Sequence, residues 1–387
     1  MDPYILTFKE TANLRMLDEY DVKDVHVAKH FPYIVFCNLT EEQEELLKNE
    51  NDILSIERDM ADDFEEEEGQ TESYAIDLLE VKKYHEKGYK GQGIKIAVFD
   101  SGVQKHEDLE IKGGINAYDQ SEPYDENINT SHGTMVAGVL AAKDNGKGTL
   151  GVAPECDLYV VKLDDNAGSN NGSRWSEQIL GLSWAMDNDI DIINCSFSGL
   201  TDSTARYNAF KDAHESGIII CGSAGNMQNR VDDDRSTMGF PCSYPFVIAT
   251  ANITSSIKRN ASSCMGRHIN FSSGGTSIKS TTTDSANTVS KKYRTGTGTS
   301  YASPSVAGII ALHKQMFPDY SNEKILSIMY ENAEKLGAPW EYGAGIPKFP
   351  SRQYEDIQMK HKGDSDIDIA IKNEMVIDSS FQMKARL

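Results

Sequence analysis

With 387 residues, 39% of them hydrophobic and 25% charged, the chain can bury a full α/β core in one large domain with attachments or in two domains. Its formal net charge of -22 excludes a clustered basic surface, so no nucleic-acid partner is expected. No run approaches the roughly 18 apolar residues that span a bilayer, and MDPYILTFKE lacks the basic start and long apolar core of a secretory signal. No membrane partner is expected, and the expected location is cytoplasmic.

The six cysteines, Cys37, Cys156, Cys195, Cys221, Cys242 and Cys264, are scattered without CxxC spacing, and several sit in apolar runs such as DIINCSF. Buried free thiols are expected rather than a disulfide framework.

Residues 1–62 read as a small α+β unit. Strands are expected at 4–9 and 32–39, with another candidate in 22–30 and a last one in ILSIERD. Thr40 and Gln43 have the spacing of a capping box and open a short acidic helix. Residues 63–74 contain an acidic cluster (Asp63, then residues 65–68) whose like charges repel, and they read as a linker.

Over residues 75–347 apolar strands alternate with helical patterns. IKIAVFD, DLYVVKL, DIDIINCS, GIIICGS and FVIATA are short and rich in β-branched residues, which suits strands buried on both faces. Helices are expected at 132–142, 174–188, 203–216, 300–316 and 322–335. This alternation implies an α/β fold with a doubly wound, mostly parallel sheet flanked by helices. Residues 348–387 are polar and mixed and are assigned no structure.

In such a sheet functional groups collect where strands end and helices begin. Asp100 ends IKIAVFD before the turn pair Ser101-Gly102, where a carboxylate is either a turn cap or a paired functional group. His132 stands in the first turn of SHGTMVAGVLAA, whose small residues permit close packing on the sheet. Ser300 lies in GTGTSYASPSVAGIIAL after Gly296 and Gly298, at a helix start that favours developing negative charge and tolerates Pro304. Each alone has an ordinary structural explanation; together they are far more specific.

IAVFDSGV, HGTMVAG and GTSYASPSVAG resemble the three signature segments of the subtilisin-type serine proteases, in the order Asp, His, Ser, over residues 75–345. The resemblance implies a subtilisin-like serine endopeptidase acting on polypeptide substrates. Ser300 would be nucleophile, His132 general base and Asp100 the group that orients it. Asn226 in IIICGSAGNMQ would donate to the oxyanion beside the Ser300 backbone N–H. Ser196, Phe197, Ser198, Ser223, Ala224 and Gly225 would wall the specificity pocket, with Ser198 standing where the family usually has glycine. Residues 167–173 resemble the edge that pairs with extended substrate.

LAAKDNGKGTLGVAP resembles the family's loop for a structural calcium, with side-chain ligands Asp108 and Asn145 and carbonyls of Lys143, Lys147 and Thr149. One further ligand expected near the N-terminal end is not placed by the sequence. Residues 1–62 resemble the family's inhibitor-like propeptide, so the chain would be a self-inhibited zymogen cut near Phe64 or Glu65, with its own N-terminal domain as a partner. The cytoplasm would be that of a bacterium or a virus-infected host cell. A catalytically silent scaffold would be expected to have lost one of Asp100, His132, Asn226 or Ser300, and all four are present. An esterase or acyltransferase using the same triad is left open by the residues, although a peptide-pairing edge favours proteolysis.

Overall fold

The computed structural model describes residues 2–29, 31–58, 69–126, 130–164, 173–226, 237–283 and 292–362. Residues 63–68, with the bonds near Phe64 and Glu65, and residues 167–172 of the expected substrate edge lie outside them. The chain divides into two compact units, Met1–Glu66 and Glu67–Leu387.

In the first unit β1 (Asp2–Phe8), β2 (Lys23–Ala28), β3 (Phe31–Leu39) and β4 (Ile53–Arg58) form an antiparallel sheet in the order β2-β3-β1-β4. The capping box opens α2 (Glu41–Leu47): Gln43 N–H donates to Thr40 Oγ1 at 3.2 Å and Thr40 N–H to Gln43 Oε1 at 2.8 Å. An unanticipated helix, α1 (Leu14–Glu19), is capped by Asn13 and buries Met16 and Leu17 against Leu6, Val35 and Leu39.

The second unit is built on seven parallel strands, β5 (Lys95–Asp100), β6 (Ile111–Asn116), β7 (Asp157–Lys162), β8 (Ile192–Cys195), β9 (Ile219–Ser223), β10 (Val247–Ile253) and β11 (Ile269–Gly274). Their order is β11-β10-β9-β8-β5-β7-β6. Alternation along β5 sends Ile96 and Val98 to one core and Ala97 and Phe99 to the other. The first core is shared with two short helices, α3 (Tyr74–Leu78) and α4 (Val81–His85), and with α5 (His132–Ala141) and α8 (Thr299–Met316), the second with α6 (Trp175–Asp187) and α7 (Thr204–Glu215). Burial on both faces is why the five apolar runs contain so few polar residues.

After its first residue α5 is buried throughout, so small side chains decide how closely it packs. A Cβ on Gly138 would stand 2.2 Å from Thr281 Oγ1, in a two-stranded ribbon made by β12 (Ile278–Thr281) and β13 (Tyr293–Gly296). That ribbon leads directly to α8. A further helix occupies Ser351–Lys362.

Candidate active site

Asp100 is the last residue of β5 and is 7% exposed. Ser101 donates to its Oδ1 through the backbone N–H at 2.8 Å and the hydroxyl at 3.1 Å. His132, the first residue of α5, donates its Nδ1–H to the same carboxylate, 2.9 Å from Oδ1 and 3.0 Å from Oδ2. Gly133 makes this approach possible, because a Cβ there would stand 2.1 Å from the Gly102 carbonyl oxygen and 3.1 Å from Asp100 Oδ1. Burial depresses the imidazole's pKa, but the charge and hydrogen bond of Asp100 outweigh it and hold His132 above its ordinary 6.5.

Ser300 is the second residue of α8, and its hydroxyl donates to the Ser196 carbonyl at 3.2 Å. Among the described residues this is its hydrogen-bond partner; a bond to a catalytic base commonly tightens only when substrate is present. A buried chain of polar groups fixes this helix start. Ser303 Oγ donates to Asn194 Oδ1 at 2.7 Å, Asn194 Nδ2 to Ser196 Oγ at 2.9 Å, and Ser196 Oγ to the Ser300 carbonyl at 2.9 Å. Sequence reasoning missed Asn194 and Ser303. The available signal was a polar residue inside the apolar run DIINCSF.

Asn226 follows β9 and is exposed. Its Oδ1 accepts from Thr299 N–H at 2.9 Å and Thr299 Oγ1 at 3.1 Å, which fixes the amide with its Nδ2 side turned away from Thr299. A Cβ on Gly298 would stand 3.2 Å from that Nδ2 and 3.7 Å from the Ser300 nitrogen, so glycine leaves room between two donors. Such a pair can stabilise an oxyanion.

The expected pocket walls meet one another. Ser198 Oγ is buried and, among the described residues, has no hydrogen-bond partner; it lies 3.4 Å from where a Cβ on Gly225 would stand and 2.3 Å from one on Gly239. Cys242 Sγ donates to the Ser223 carbonyl at 3.0 Å behind the second wall. Ala224 is buried, Phe197 half-buried and Ser196 buried.

Beside the C-terminal end of α5, where Lys143 N–H donates to its backbone carbonyl at 3.0 Å, Asp108 is 1% exposed. Its carboxylate accepts from Asn145 Nδ2 at 2.9 Å, Thr149 N–H at 3.3 Å and Tyr293 Oη–H at 3.3 Å. Burial raises its pKa above the ordinary 3.8, and the hydrogen bonds it accepts and the nearby His106 offset this only in part. Gln70, absent from the sequence reasoning, lays its Nε2 against the carbonyls of Lys143 at 2.6 Å and Thr149 at 3.1 Å. Lys147 N–H donates to Asn145 Oδ1 at 2.9 Å. Among the described residues no group of three or more His, Cys, Asp or Glu side chains is poised to hold a metal, so any ion here would rest on the single carboxylate of Asp108 with amides and carbonyls.

Comparison with known proteins agrees with this geometry. The Subtilase family model (Peptidase S8) matches residues 91–345. Subtilisin NAT of Bacillus subtilis subsp. natto is 34% identical over 351 residues, covering 89% of this chain and 88% of its own. The thermostable alkaline protease of Halalkalibacterium halodurans is 33% identical over 338 residues, 87% of this chain and 88% of its own. The minor extracellular protease Epr of Bacillus subtilis is 30% identical over 365 residues, 90% of this chain and 54% of its own. Epr is extracellular by name, so the relatives lend no support to the cytoplasmic location expected from the N-terminal sequence. No helix among the described residues is long and apolar enough to cross a membrane. A parallel sheet with Asp100 at a strand end bonded to His132 at a helix start, a family model matching most of the second unit, and relatives aligned over most of their length lead to one conclusion: the chain belongs to the subtilase family and is a subtilisin-like serine endopeptidase.

Proposed function

We propose that Ser300, His132, Asp100 and Asn226 carry out the hydrolysis. The observation behind this is the Nδ1–H bond from His132 to Asp100, which fixes the tautomer and leaves Nε2 to take a proton. As Ser300 Oγ bonds to the scissile carbonyl carbon, its proton passes to His132 Nε2 and the carbonyl π pair moves onto oxygen. Asn226 Nδ2 and the Ser300 N–H stabilise that oxyanion. Collapse breaks the C–N bond, and the His132 proton goes to the departing amine. Water then repeats the sequence on the acyl-enzyme, returning the proton to Ser300. Asp100 stabilises the imidazolium throughout without taking the proton.

Ser196, Phe197, Ser198, Ser223, Ala224 and Gly225 form the walls of the specificity pocket in this reading, and residues 167–173 form the pairing edge. The buried Ser198 hydroxyl makes the pocket wall more polar than glycine would. To test the assignment, hydrolysis of an internally quenched peptide is compared for the parent chain, Ser300→Ala and His132→Ala. Loss of activity in both, with unchanged thermal unfolding, supports it; residual activity near the parent's in either contradicts it.

The N-terminal unit acts as an inhibitory propeptide, residues 1–62, joined by a processing region, residues 63–74, to the catalytic domain, residues 75–347, with residues 348–387 as an extension. Val27, Phe31, Tyr33, Phe36 and Leu54 stand exposed on its strands and offer apolar surface that a partner could cover. Parallel sheets fold slowly because their contacts are distant, which gives a helper domain a purpose. If a chain lacking residues 1–66 folds unaided and the isolated unit fails to inhibit it, this role is wrong. A reducing compartment suits six buried cysteines of which none is in a disulfide, and cell fractionation tests it.

A structural calcium fits the Asp108 site. Burial disfavours the Asp108 anion, which a bound cation would stabilise, and the Asn145 and Gln70 amides lie where a rotation of each would present oxygen beside the carbonyls of Lys143 and Thr149. With the Lys147 carbonyl these groups would hold the ion and tie residue 70 to the loop.

A further inference from the structure

A cavity of about 360 Å³ opens beside His132, with Thr130, Met135, Arg294, Thr297 and Tyr301 among its walls. It shares His132 with the reacting centre but none of residues 196–198 or 223–225. On the assignment of Ser300 and His132 above, this is the leaving-group side. His132 must deliver its proton to the departing amine, so the peptide beyond the scissile bond has to pass the imidazole.

Arg294 is the one permanently charged residue among the described walls, and it forms no ion pair with any other described residue. Other exposed cations nearby are paired: Lys105 with Asp125 at 3.1 Å and Lys292 with Glu107 at 2.8 Å. An unpaired cation at the site of a chain with net charge -22 is therefore conspicuous. Strand alternation accounts for its direction. Tyr293 turns its hydroxyl to Asp108, so the next residue of β13 faces the opposite side, towards the cavity. A Cβ on Gly296 would stand 2.4 Å from Tyr301 Cζ, so the phenol ring fills the space beneath a residue that has no side chain. The same ring lies 5.9 Å from the His132 ring, centroid to centroid. Burial and then Asp100 keep Tyr301 protonated beyond its ordinary range, with Arg294 near enough to oppose them. The cavity thus offers a guanidinium and a neutral phenol within reach of a peptide leaving past His132.

We propose that Arg294 is a specificity-determining residue that selects an acidic side chain at the first or second position after the scissile bond. A carboxylate there receives the forked N–H donors of Arg294, with Thr297 beside it. This local attraction acts against the long-range repulsion that the chain's net charge exerts on any acidic peptide.

The test uses the full-length chain, with active sites titrated by a serine-directed phosphonate so that rates refer to labelled enzyme. Internally quenched peptides carry Glu, Gln or Lys at the first or at the second residue after the cleaved bond. At one of these positions kcat/KM for Glu is expected to exceed that for Gln by about fivefold, the upper range for a partly exposed ion pair. Arg294→Gln should remove the Glu preference and Arg294→Glu should turn it towards Lys, with preferences on the other side of the bond unchanged. The proposal is overturned if Glu is no better than Gln at either position, or if its advantage survives Arg294→Gln. Failure of the titration itself, also after the N-terminal unit has been cleaved away, would instead defeat the assignment of Ser300.

Discussion

Replacing Gly133 with alanine should separate the catalytic pair while leaving both of its members in the chain. The new Cβ would lie 2.1 Å from the Gly102 carbonyl oxygen, and real Cβ contacts stay beyond 3.0 Å. The start of α5 must therefore retreat from β5 by roughly 1 Å, because neither close-packed backbone can compress. The 2.9 and 3.0 Å contacts between His132 and Asp100 would then open to about 4 Å, past hydrogen-bonding range. Overpacking of this kind costs about 1–3 kcal/mol of stability, and a 1 Å misplacement of a catalytic group about 10²-fold in rate. Steady-state kinetics on a quenched peptide, thermal unfolding and the low-field proton resonance of His132 Nδ1–H would be measured together. The expected result is a folded protein with a lowered melting temperature, kcat down by about 10²-fold and a weakened or lost resonance. A folded variant with the parent's kcat and an intact resonance would refute the reasoning, since the glycine would then not be setting the approach of the pair.

Further expectations concern pH, the oxyanion donor, the buried network and the calcium loop. Because Asp100 holds the His132 pKa above 6.5, kcat/KM should rise with pH through a midpoint above that value. The linked stability runs the other way: a raised folded pKa stabilises at low pH and is lost as pH climbs through it, and Asp100→Asn should lower the midpoint wherever activity remains measurable. Asn226→Ala should reduce kcat by about 10²–10³-fold with KM little changed, a range that comes from subtilisin itself. Asn194→Ala leaves the Ser303 hydroxyl without its buried acceptor, while Ser196 Oγ keeps the Ser300 carbonyl, and should cost about 1–3 kcal/mol in denaturant titration. Removing calcium with a chelator should lower the melting temperature, and saturation at about a hundred times Kd should restore about 2.7 kcal/mol. Asp108→Asn should abolish that response while relieving the buried charge in the chelated state.

The sequence disclosed the parts of the fold whose environment is uniform. β5, β7, β8, β9 and β10 are covered on both faces, so burial alone dictates apolar runs that are legible without a partner. β6 escaped notice because IKGGIN lies at the sheet edge, where Lys112 is exposed and Gly114 is needed: a Cβ there would stand 2.2 Å from the Val160 carbonyl oxygen. β11, β12 and β13 were also missed, since INFSSG, IKST and YRTG are small and polar and take their shape from neighbours rather than from periodicity. Within the site, Asp100 and His132 could be read because turn and helix-start signals stand beside them. Asn194 with Ser303, 109 residues apart, and Gln70 with Lys143, 73 apart, acquire meaning only when the fold brings them together. Local sequence records local constraints, and these hydrogen bonds are not local.

The most direct test of the account is peptide mapping after reaction with a serine-directed phosphonate, for the parent chain and for Asp100→Ala, His132→Ala and Ser300→Ala. The account predicts that, once the N-terminal unit has been cleaved away, the parent carries a single adduct on Ser300, greatly slowed in the first two variants and absent from the third. An adduct on another serine, or labelling of Ser300 at the parent's rate without His132, would contradict it.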